Sequence, residues 1–97
     1  MIVRDWLKIG RRPTMRAILQ EVAEETDISL DDLLGQSRLK GISHARQYAM
    51  WRIRRETNRS LPEIGAFLGG RDHTTVLHGV RMHEKRAAEA ANWMLAA

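Results

Sequence analysis

Apolar residues recur at helical spacing along most of the chain, and residues that favour turns separate the runs. The first run contains Met15, Ile18, Leu19, Val22 and Ala23. Intervals of three and four residues give the apolar stripe of an amphipathic helix. Thr14 can cap this helix at its start, and residues 26–27 end it. A short second helix is predicted from Ser29, which has Asp32 three residues later as in a capping box, to Gly35.

A longer helix is predicted after a basic loop. The loop, QSRLKG at residues 36–41, has no hydrophobic periodicity. Ser43 can cap a helix that continues to about Thr57. The apolar side of this helix carries Ala45, Ala49, Met50 and Ile53. The other side carries Gln47, Trp51, Arg54 and Arg55. We therefore expect one face of the helix in the core and the other at the surface.

The segment at residues 60–81, SLPEIGAFLGGRDHTTVLHGVR, organises the rest of the chain. Ser60 and Glu63 have the spacing of a capping box. Pro62 fits the first turn of a helix, so we predict a helix from Leu61. Two consecutive glycines then end this helix, because glycine adopts left-handed conformations without penalty.

A second helix follows the two glycines, Gly69 and Gly70, almost at once. Asp72 can cap it, and we predict that it runs from His73 into the nineties. A short helix, a turn with glycine and a second helix form a helix-turn-helix, whose second helix enters the major groove of DNA. The polar residues that open the second helix can hydrogen-bond base edges or phosphates.

These elements predict an all-α fold, a small helical domain of about five or six helices that contains the helix-turn-helix. We divide the chain into an N-terminal extension at residues 1–13, a DNA-binding domain at residues 14–86 and a C-terminal helical extension at residues 87–97. We expect Trp6 to pack against the core, with a partner-binding arm as the alternative. For Trp93 and its apolar neighbours the sequence allows three interpretations: they pack back on the domain, they bind a partner, or they belong to a longer chain.

Basic charge is concentrated in the part of the chain that holds the helix-turn-helix. The net charge of the 97 residues is +4, but residues 38–86 carry +7 and residues 1–37 carry −2. Thirteen of the sixteen basic residues are arginine, which suits bidentate contacts with phosphate and guanine. This distribution is typical of a nucleic-acid binder, with a solvated charged surface as the alternative.

The composition also bears on the cellular compartment. Cysteine is absent, so neither a disulfide framework nor a thiolate metal site is available. No apolar run approaches the length of a membrane span, and no signal peptide is visible. We expect a cytoplasmic, nucleoid-associated protein without a membrane partner.

No motif for catalysis or for a cofactor accompanies these elements. LGGRDHTT lacks the spacing and the lysine of a phosphate-binding loop, so no nucleotide is expected. The adjacent Asp72 and His73 point in different directions on a helix and cannot form a catalytic relay. His73, His78 and His83 are five residues apart, whereas metal ligands on one helix need a spacing of three or four. We predict no enzymatic activity, no cofactor and no metal.

Residues 69–78, GGRDHTTVLH, resemble the signature of the DNA-binding domain of DnaA, the bacterial replication initiator. The similarity extends over about residues 14–86 and includes ILQEVAEETDISLDDLL, the ARQ-AM of the next helix and TNRSLPEIG. The resemblance implies a helix-turn-helix that reads duplex DNA in two grooves. The ATPase domain of the family is absent from this sequence, so the resemblance implies neither ATP-driven assembly nor origin melting.

The resemblance also implies roles for individual residues. Asp72, His73 and Thr74 would contact bases in the major groove, although His73 falls nearer the apolar side of its helix by angle. Arg38 would enter the adjacent minor groove, whose negative potential suits a flexible basic loop. Phosphate contacts are implied for Lys40, Arg46, Gln47, Arg54, Thr75 and the backbone around Leu61 and Pro62. A solvated loop arginine is the alternative for Arg38, and a simple helix cap is the alternative for Asp72.

The sequence departs from the family pattern in the longer helix. Arg52 and Glu56 stand at positions that the family usually fills with apolar residues. These departures predict a locally rotated core and a new surface near Trp51. The DNA sequence that this chain prefers would then differ from the box that the initiator binds.

We therefore expect a stand-alone, sequence-specific double-stranded DNA-binding protein, with transcriptional regulation in a bacterium or its phage as the leading role. One alternative is a replication role, in which the protein competes for initiator sites or acts at them. Another is a protein-interaction module with a vestigial DNA surface. In that case Trp51, Trp93 or residues 1–13 would bind the partner.

Overall fold

A computed structural model describes residues 12–96, so our expectations for Trp6 and the rest of residues 1–11 lie outside the described part of the chain. The helices in order are α1 (Met15–Thr26), α2 (Leu30–Leu34), α3 (Lys40–Glu56), α4 (Leu61–Phe67) and α5 (His73–Ala96). Residues 12–96 contain no strand. The prediction of an all-α fold is confirmed.

Four of the five described helices begin at the polar residue that the sequence predicts. These residues are Thr14, Ser29, Ser60 and Asp72. Ser60 forms a complete capping box, because its hydroxyl accepts from the Glu63 N–H at 3.2 Å while the Glu63 carboxylate accepts from the Ser60 N–H at 3.0 Å. Each cap gives a partner to an N–H group that the helix itself leaves unpaired.

The start of α3 was predicted wrongly. The helix begins at Lys40, three residues before Ser43, and the loop is correspondingly shorter. The Ser43 N–H donates to the Leu39 carbonyl at 2.8 Å, as in a helix already under way. Leu39, at the cap position, makes no side-chain cap. The preceding loop is held from further along the chain, because Arg46 donates to the carbonyl of Ser37 at 3.1 Å.

The core lies around α3, which packs against α1, α2, α4 and α5. Its buried apolar members are Ile18, Leu19, Val22, Leu33, Ala45, Ala49, Met50, Ile53, Ile64, Leu68, Val76 and Val80. The predicted apolar side of α3 is therefore buried. From residue 87 onwards α5 extends beyond the core and every described side chain is exposed. Trp93 is 74 % exposed, so it does not pack back on the domain.

The outer face of α3 is less exposed than predicted. Trp51 is half-buried, with its ring centroid 4.7 Å from that of His83 on α5 and 6.3 Å from that of Tyr48. Burial, and then the charge of Arg86, lower the pKa of His83. This packing joins α3 to α5 and takes most of the Trp51 surface away from a partner.

Arg52 is the fully buried charge of the domain's core. Its side chain is 1 % exposed and bonds to Glu56 at 2.7 Å, Glu21 at 2.8 Å and Glu25 at 3.3 Å. Burial lowers the pKa of Arg52, but the hydrogen bonds to Glu56 and Glu21 outweigh it and the net shift is upward. An arginine thus occupies an interior position because carboxylates from α1 and α3 surround it.

Candidate nucleic-acid interface

The helix-turn-helix consists of α4, a turn of five residues and α5. The Leu68 N–H closes α4 on the Ile64 carbonyl at 2.9 Å. Gly69 and Gly70 then have φ values of 80° and 77°, which confirms that they end the helix in left-handed conformations. The Arg71 N–H returns to the Gly65 carbonyl at 2.7 Å and holds the start of α5 against α4.

The first turn of α5 exposes the polar residues predicted there. Asp72, His73, Thr74 and Thr75 are all exposed. His73 is exposed although its helical angle places it near the apolar side, because the first turn lies beyond the part of α5 that packs on the core. Further along, His78, Arg81 and Lys85 continue an exposed polar and basic stripe.

Asp72 is both a helix cap and an exposed carboxylate. Its Oδ2 accepts from the Thr74 N–H at 3.1 Å and from the Thr74 hydroxyl, and its Oδ1 lies 3.3 Å from His73 Nδ1. The hydrogen bonds from the Thr74 hydroxyl and N–H lower the pKa of Asp72. The side chain is therefore an ionised acceptor near neutral pH and stays 62 % exposed.

The predicted phosphate contacts fall into an accessible group and one exception. Lys40 and Arg54 are exposed on α3. Gln47 and Thr75 line one narrow cleft between α3 and α5. The exception is Arg46, which is buried. Leu61 and Pro62 form the first turn of α4, where the Leu61 N–H has no partner within the helix.

Arg46 has a structural position that the sequence did not predict. It is 7 % exposed. Its Nε donates to the Leu33 carbonyl at 2.7 Å, its Nη2 to the Asp32 carbonyl at 2.8 Å and its Nη1 to the Ser37 carbonyl at 3.1 Å. A guanidinium that holds three backbone carbonyls has little left to offer a phosphate. The structure therefore favours a structural role for Arg46 in place of the phosphate contact that the resemblance implies.

Arg71 is the residue near this interface that sequence reasoning missed. Its Nη1 donates to the carbonyls of Leu68 at 2.5 Å and Leu34 at 3.4 Å, and its Nη2 donates to the Gly35 carbonyl. Burial lowers its pKa. No local pattern marks this role, because two of the acceptors lie 36 and 37 residues earlier in the chain.

Arg38 lies in the short loop between α2 and α3 and is exposed. The loop also contains the exposed Leu39, and Lys40 follows as the first residue of α3. Arg71 binds the start of this loop at Gly35, so the loop and the helix-turn-helix turn are neighbours. The geometry thus joins the segment that carries Arg38 to the segment that carries the first turn of α5.

Residues 12–96 contain neither a membrane-spanning helix nor a cluster of metal-binding side chains. None of the five described helices combines the length and the apolarity that a membrane crossing requires. In the same part of the chain, His, Asp and Glu side chains form no group of three or more that could hold a metal ion.

Comparison with known proteins identifies the domain. The model of the family described as the bacterial DnaA protein helix-turn-helix matches residues 15–82. The chain belongs to this family. The prediction made from GGRDHTTVLH is therefore confirmed.

Individual DnaA relatives show the same extent of similarity. The chromosomal replication initiator protein DnaA of Cereibacter sphaeroides is 49% identical over 78 residues, which cover 80% of this chain and 17% of the relative. The protein of the same name from Cutibacterium acnes is 47% identical over 83 residues, covering 84% and 17%. That from Caulobacter vibrioides is 45% identical over 89 residues, covering 91% and 18%. The chain spans less than a fifth of the length of these curated relatives.

Proposed function

We propose that this DnaA-type domain binds double-stranded DNA and acts at sites of the kind that replication initiators use. The observation that carries the proposal is the first turn of α5, where four consecutive polar side chains are exposed at the start of a helix held by a helix-turn-helix. Such a helix places its N-terminal residues against base edges in the major groove. The exposed stripe of His78, Arg81 and Lys85 continues the same surface along α5.

The relatives favour replication over the regulatory role that we expected first. The relatives described above are named as chromosomal replication initiator proteins. No finding supports transcriptional regulation. The third possibility, a protein-interaction module, loses Trp51 as a contact residue, because Trp51 packs against His83. We therefore assign the domain a replication-related binding role.

The residues of this interface divide into two proposed groups, those that contact bases and those that contact phosphates. Asp72, His73 and Thr74 read bases in the major groove, and Arg38 reaches the adjacent minor groove. The remaining contacts are to phosphates and come from Lys40, Gln47, Arg54, Thr75, the N–H of Leu61 and the backbone at Pro62. Base contacts supply sequence preference, whereas phosphate contacts supply affinity and orientation.

Thr74→Ala and Arg54→Ala separate the two kinds of contact. We expect Thr74→Ala to cost about 1–3 kcal/mol on the preferred duplex and little on a scrambled one, because it removes a base contact. Arg54→Ala should weaken binding to both duplexes alike and reduce the salt slope by about one. The preferred duplex comes from a binding selection, and fluorescence anisotropy then measures each variant on both duplexes.

Asp72→Asn completes this experiment, because it keeps a capping oxygen while changing what the side chain presents to a base. Asp72→Ala is a poorer probe, since it also removes a helix cap worth about 1 kcal/mol of stability. If Thr74→Ala lost the same affinity on both duplexes, or none on either, the assignment of α5 as the reading helix would be wrong.

The salt dependence of binding tests the electrostatic part of the proposal. Exposed cations on the proposed surface are Arg38, Lys40, Arg54, Arg81 and Lys85. Neutralising about five phosphates gives a slope of log K against log salt of about −4 to −5. Anisotropy titrations on duplex DNA from low to physiological salt measure this slope. A slope near zero would contradict binding through this basic surface.

A further inference from the structure

The end of α2 satisfies its backbone carbonyls in an uncommon way. The last carbonyls of a helix have no partner within the helix, and many helices bond them by a left-handed turn. Gly35, at the C-terminal cap of α2, is instead extended, with φ −83° and ψ −168°. Side chains supply the donors, because the carbonyls of residues 32, 33, 34, 35 and 37 all accept hydrogen bonds from arginine guanidinium groups.

Two arginines from different parts of the chain supply these donors. Arg46 comes from α3 and binds the carbonyls of residues 32, 33 and 37. Arg71 comes from the turn before α5 and binds the carbonyls of residues 34 and 35. We refer to the two guanidinium groups and these five carbonyls as the carbonyl clamp. Arginine suits this task because its planar head carries five donors in a fixed arrangement.

The carbonyl clamp lies directly between the two segments proposed to read DNA. Arg71 immediately precedes Asp72, the first of the proposed base-reading residues on α5. Ser37, whose carbonyl Arg46 binds, immediately precedes Arg38. Arg71 and Ser37 are therefore each directly bonded in the chain to a residue that would contact a base.

The backbone of the turn before α5 also packs closely against the end of α2. A Cβ built on Gly69 would lie 2.3 Å from the Leu34 carbonyl oxygen and 2.8 Å from Arg71 Nη1. The turn of the helix-turn-helix thus touches the end of α2 without an intervening side chain. The contact leaves the loop that carries Arg38 little freedom to move relative to α5.

We propose that Arg46 and Arg71 are positioning residues, which fix the loop carrying Arg38 relative to the first turn of α5 so that both grooves of one site are read together. The proposal rests on the proposed function, because it assigns the clamp to duplex recognition. Both guanidinium groups donate to backbone carbonyls, so the proposal gives neither of them a contact with DNA. Loss of a clamp arginine removes the minor-groove contribution of Arg38 and leaves the major-groove contribution of Thr74 in place.

A double-mutant cycle tests this separation with Arg71→Met, which is preferable to a change at Arg46 because Arg71 is less buried. Affinity for the selected duplex is measured for wild type, Arg38→Ala, Thr74→Ala, Arg71→Met and the two double variants. In the wild-type background we expect Arg38→Ala and Thr74→Ala each to weaken binding about tenfold. In the Arg71→Met background, Arg38→Ala should weaken it less than about twofold, while Thr74→Ala keeps its full effect.

A chemical substitution in the DNA gives the second readout. Replacing adenine by 2,6-diaminopurine in the selected duplex adds an amino group in the minor groove and leaves the major-groove edge of the A·T pair unchanged. We expect this duplex to bind wild type more weakly and Arg71→Met no more weakly than the unmodified one. If Arg71 only stabilised the fold, the Arg71→Met variant would still bind the diaminopurine duplex more weakly than the unmodified one.

The controls separate positioning from folding and from charge. Arg16→Met removes the same charge from an exposed position on α1 and should leave the Arg38→Ala effect unchanged. Circular dichroism verifies that each variant is folded. If Arg71→Met does not fold, Arg71→Lys takes its place, because a lysine keeps the charge but cannot reproduce the bonds to the clamp carbonyls.

The outcomes distinguish this inference from the function on which it rests. If wild type shows no preference for any duplex, the proposed function is wrong and the inference falls with it. If wild type binds its site and Arg38→Ala has the same effect with and without Arg71, the inference alone is overturned. The inference is also overturned if, in the Arg71→Met background, neither Arg38→Ala nor Thr74→Ala weakens duplex binding. The same holds if Arg38→Ala does not weaken binding in the wild-type background.

Discussion

Gly65→Ala is expected to lower the free energy of unfolding by about 3 kcal/mol, the upper end of the usual cost of overpacking. A Cβ built on Gly65 would lie 2.0 Å from the Arg71 carbonyl oxygen and 3.0 Å from its carbonyl carbon. Both are backbone atoms, so no side chain can rotate to make room. The Arg71 N–H also donates to the Gly65 carbonyl at 2.7 Å, so moving the two backbone segments apart to relieve the clash would break this bond.

Gly41→Ala is the matched control, because Gly41 lies in the first turn of α3 and a Cβ there would have no neighbour within 4 Å. We expect the free energy of unfolding of this variant to rise by about 0.5–1 kcal/mol, since alanine favours the helix and restricts the unfolded chain. Urea denaturation followed by circular dichroism gives both values. An unchanged stability for Gly65→Ala would contradict the close approach of α4 to the start of α5.

The parts of the fold that could be predicted from the sequence are those with local causes. Ser60 and Glu63 are three residues apart and satisfy each other's backbone, so their spacing alone marks the start of α4. Gly69 and Gly70 follow the helix that they end, and their φ values are those that glycine tolerates. When the interacting residues lie within one turn of helix, the sequence pattern is sufficient to predict where a helix starts or ends.

The roles of Arg46 and Arg71 could not be predicted in the same way. Their acceptors are backbone carbonyls, which every residue carries and which therefore leave no trace in the sequence. The acceptors also lie up to 37 residues away in the chain. The family resemblance placed Arg46 on a phosphate, because a resemblance transfers an expected contact and does not report where the guanidinium lies in this chain.

The structure also changes how the basic charge of residues 38–86 is interpreted. The excess of basic residues there was interpreted as a nucleic-acid footprint. In the structure, however, Arg46 and Arg71 bind backbone carbonyls and Arg52 binds carboxylates inside the domain. The cations available to DNA are therefore fewer than composition indicates. The interface is defined by which arginines remain exposed.

Arg52→Ala is expected to lower the free energy of unfolding by about 3 kcal/mol, near the lower limit for breaking a buried ion pair. The variant would leave the carboxylates of Glu21 and Glu25 facing Glu56 without their shared cation, and it would create a cavity. The carboxylates are 15% to 30% exposed, so water relieves part of this cost. Arg52→Met should cost less than Arg52→Ala, because methionine fills most of the volume.

Arg54, two residues further along α3, provides the matched comparison for Arg52. Arg54 is exposed, so Arg54→Met should change stability by less than about 0.5 kcal/mol. The effects on DNA should be reversed, with Arg54→Met weakening duplex binding and Arg52→Met leaving it unchanged, because Arg52 contacts glutamates on α1 and α3. Urea denaturation and anisotropy on the selected duplex measure the two effects. Equal losses of affinity in the two variants would show that the buried arginine also supports the DNA surface, and the separation of structural from DNA-binding arginines on α3 would be wrong.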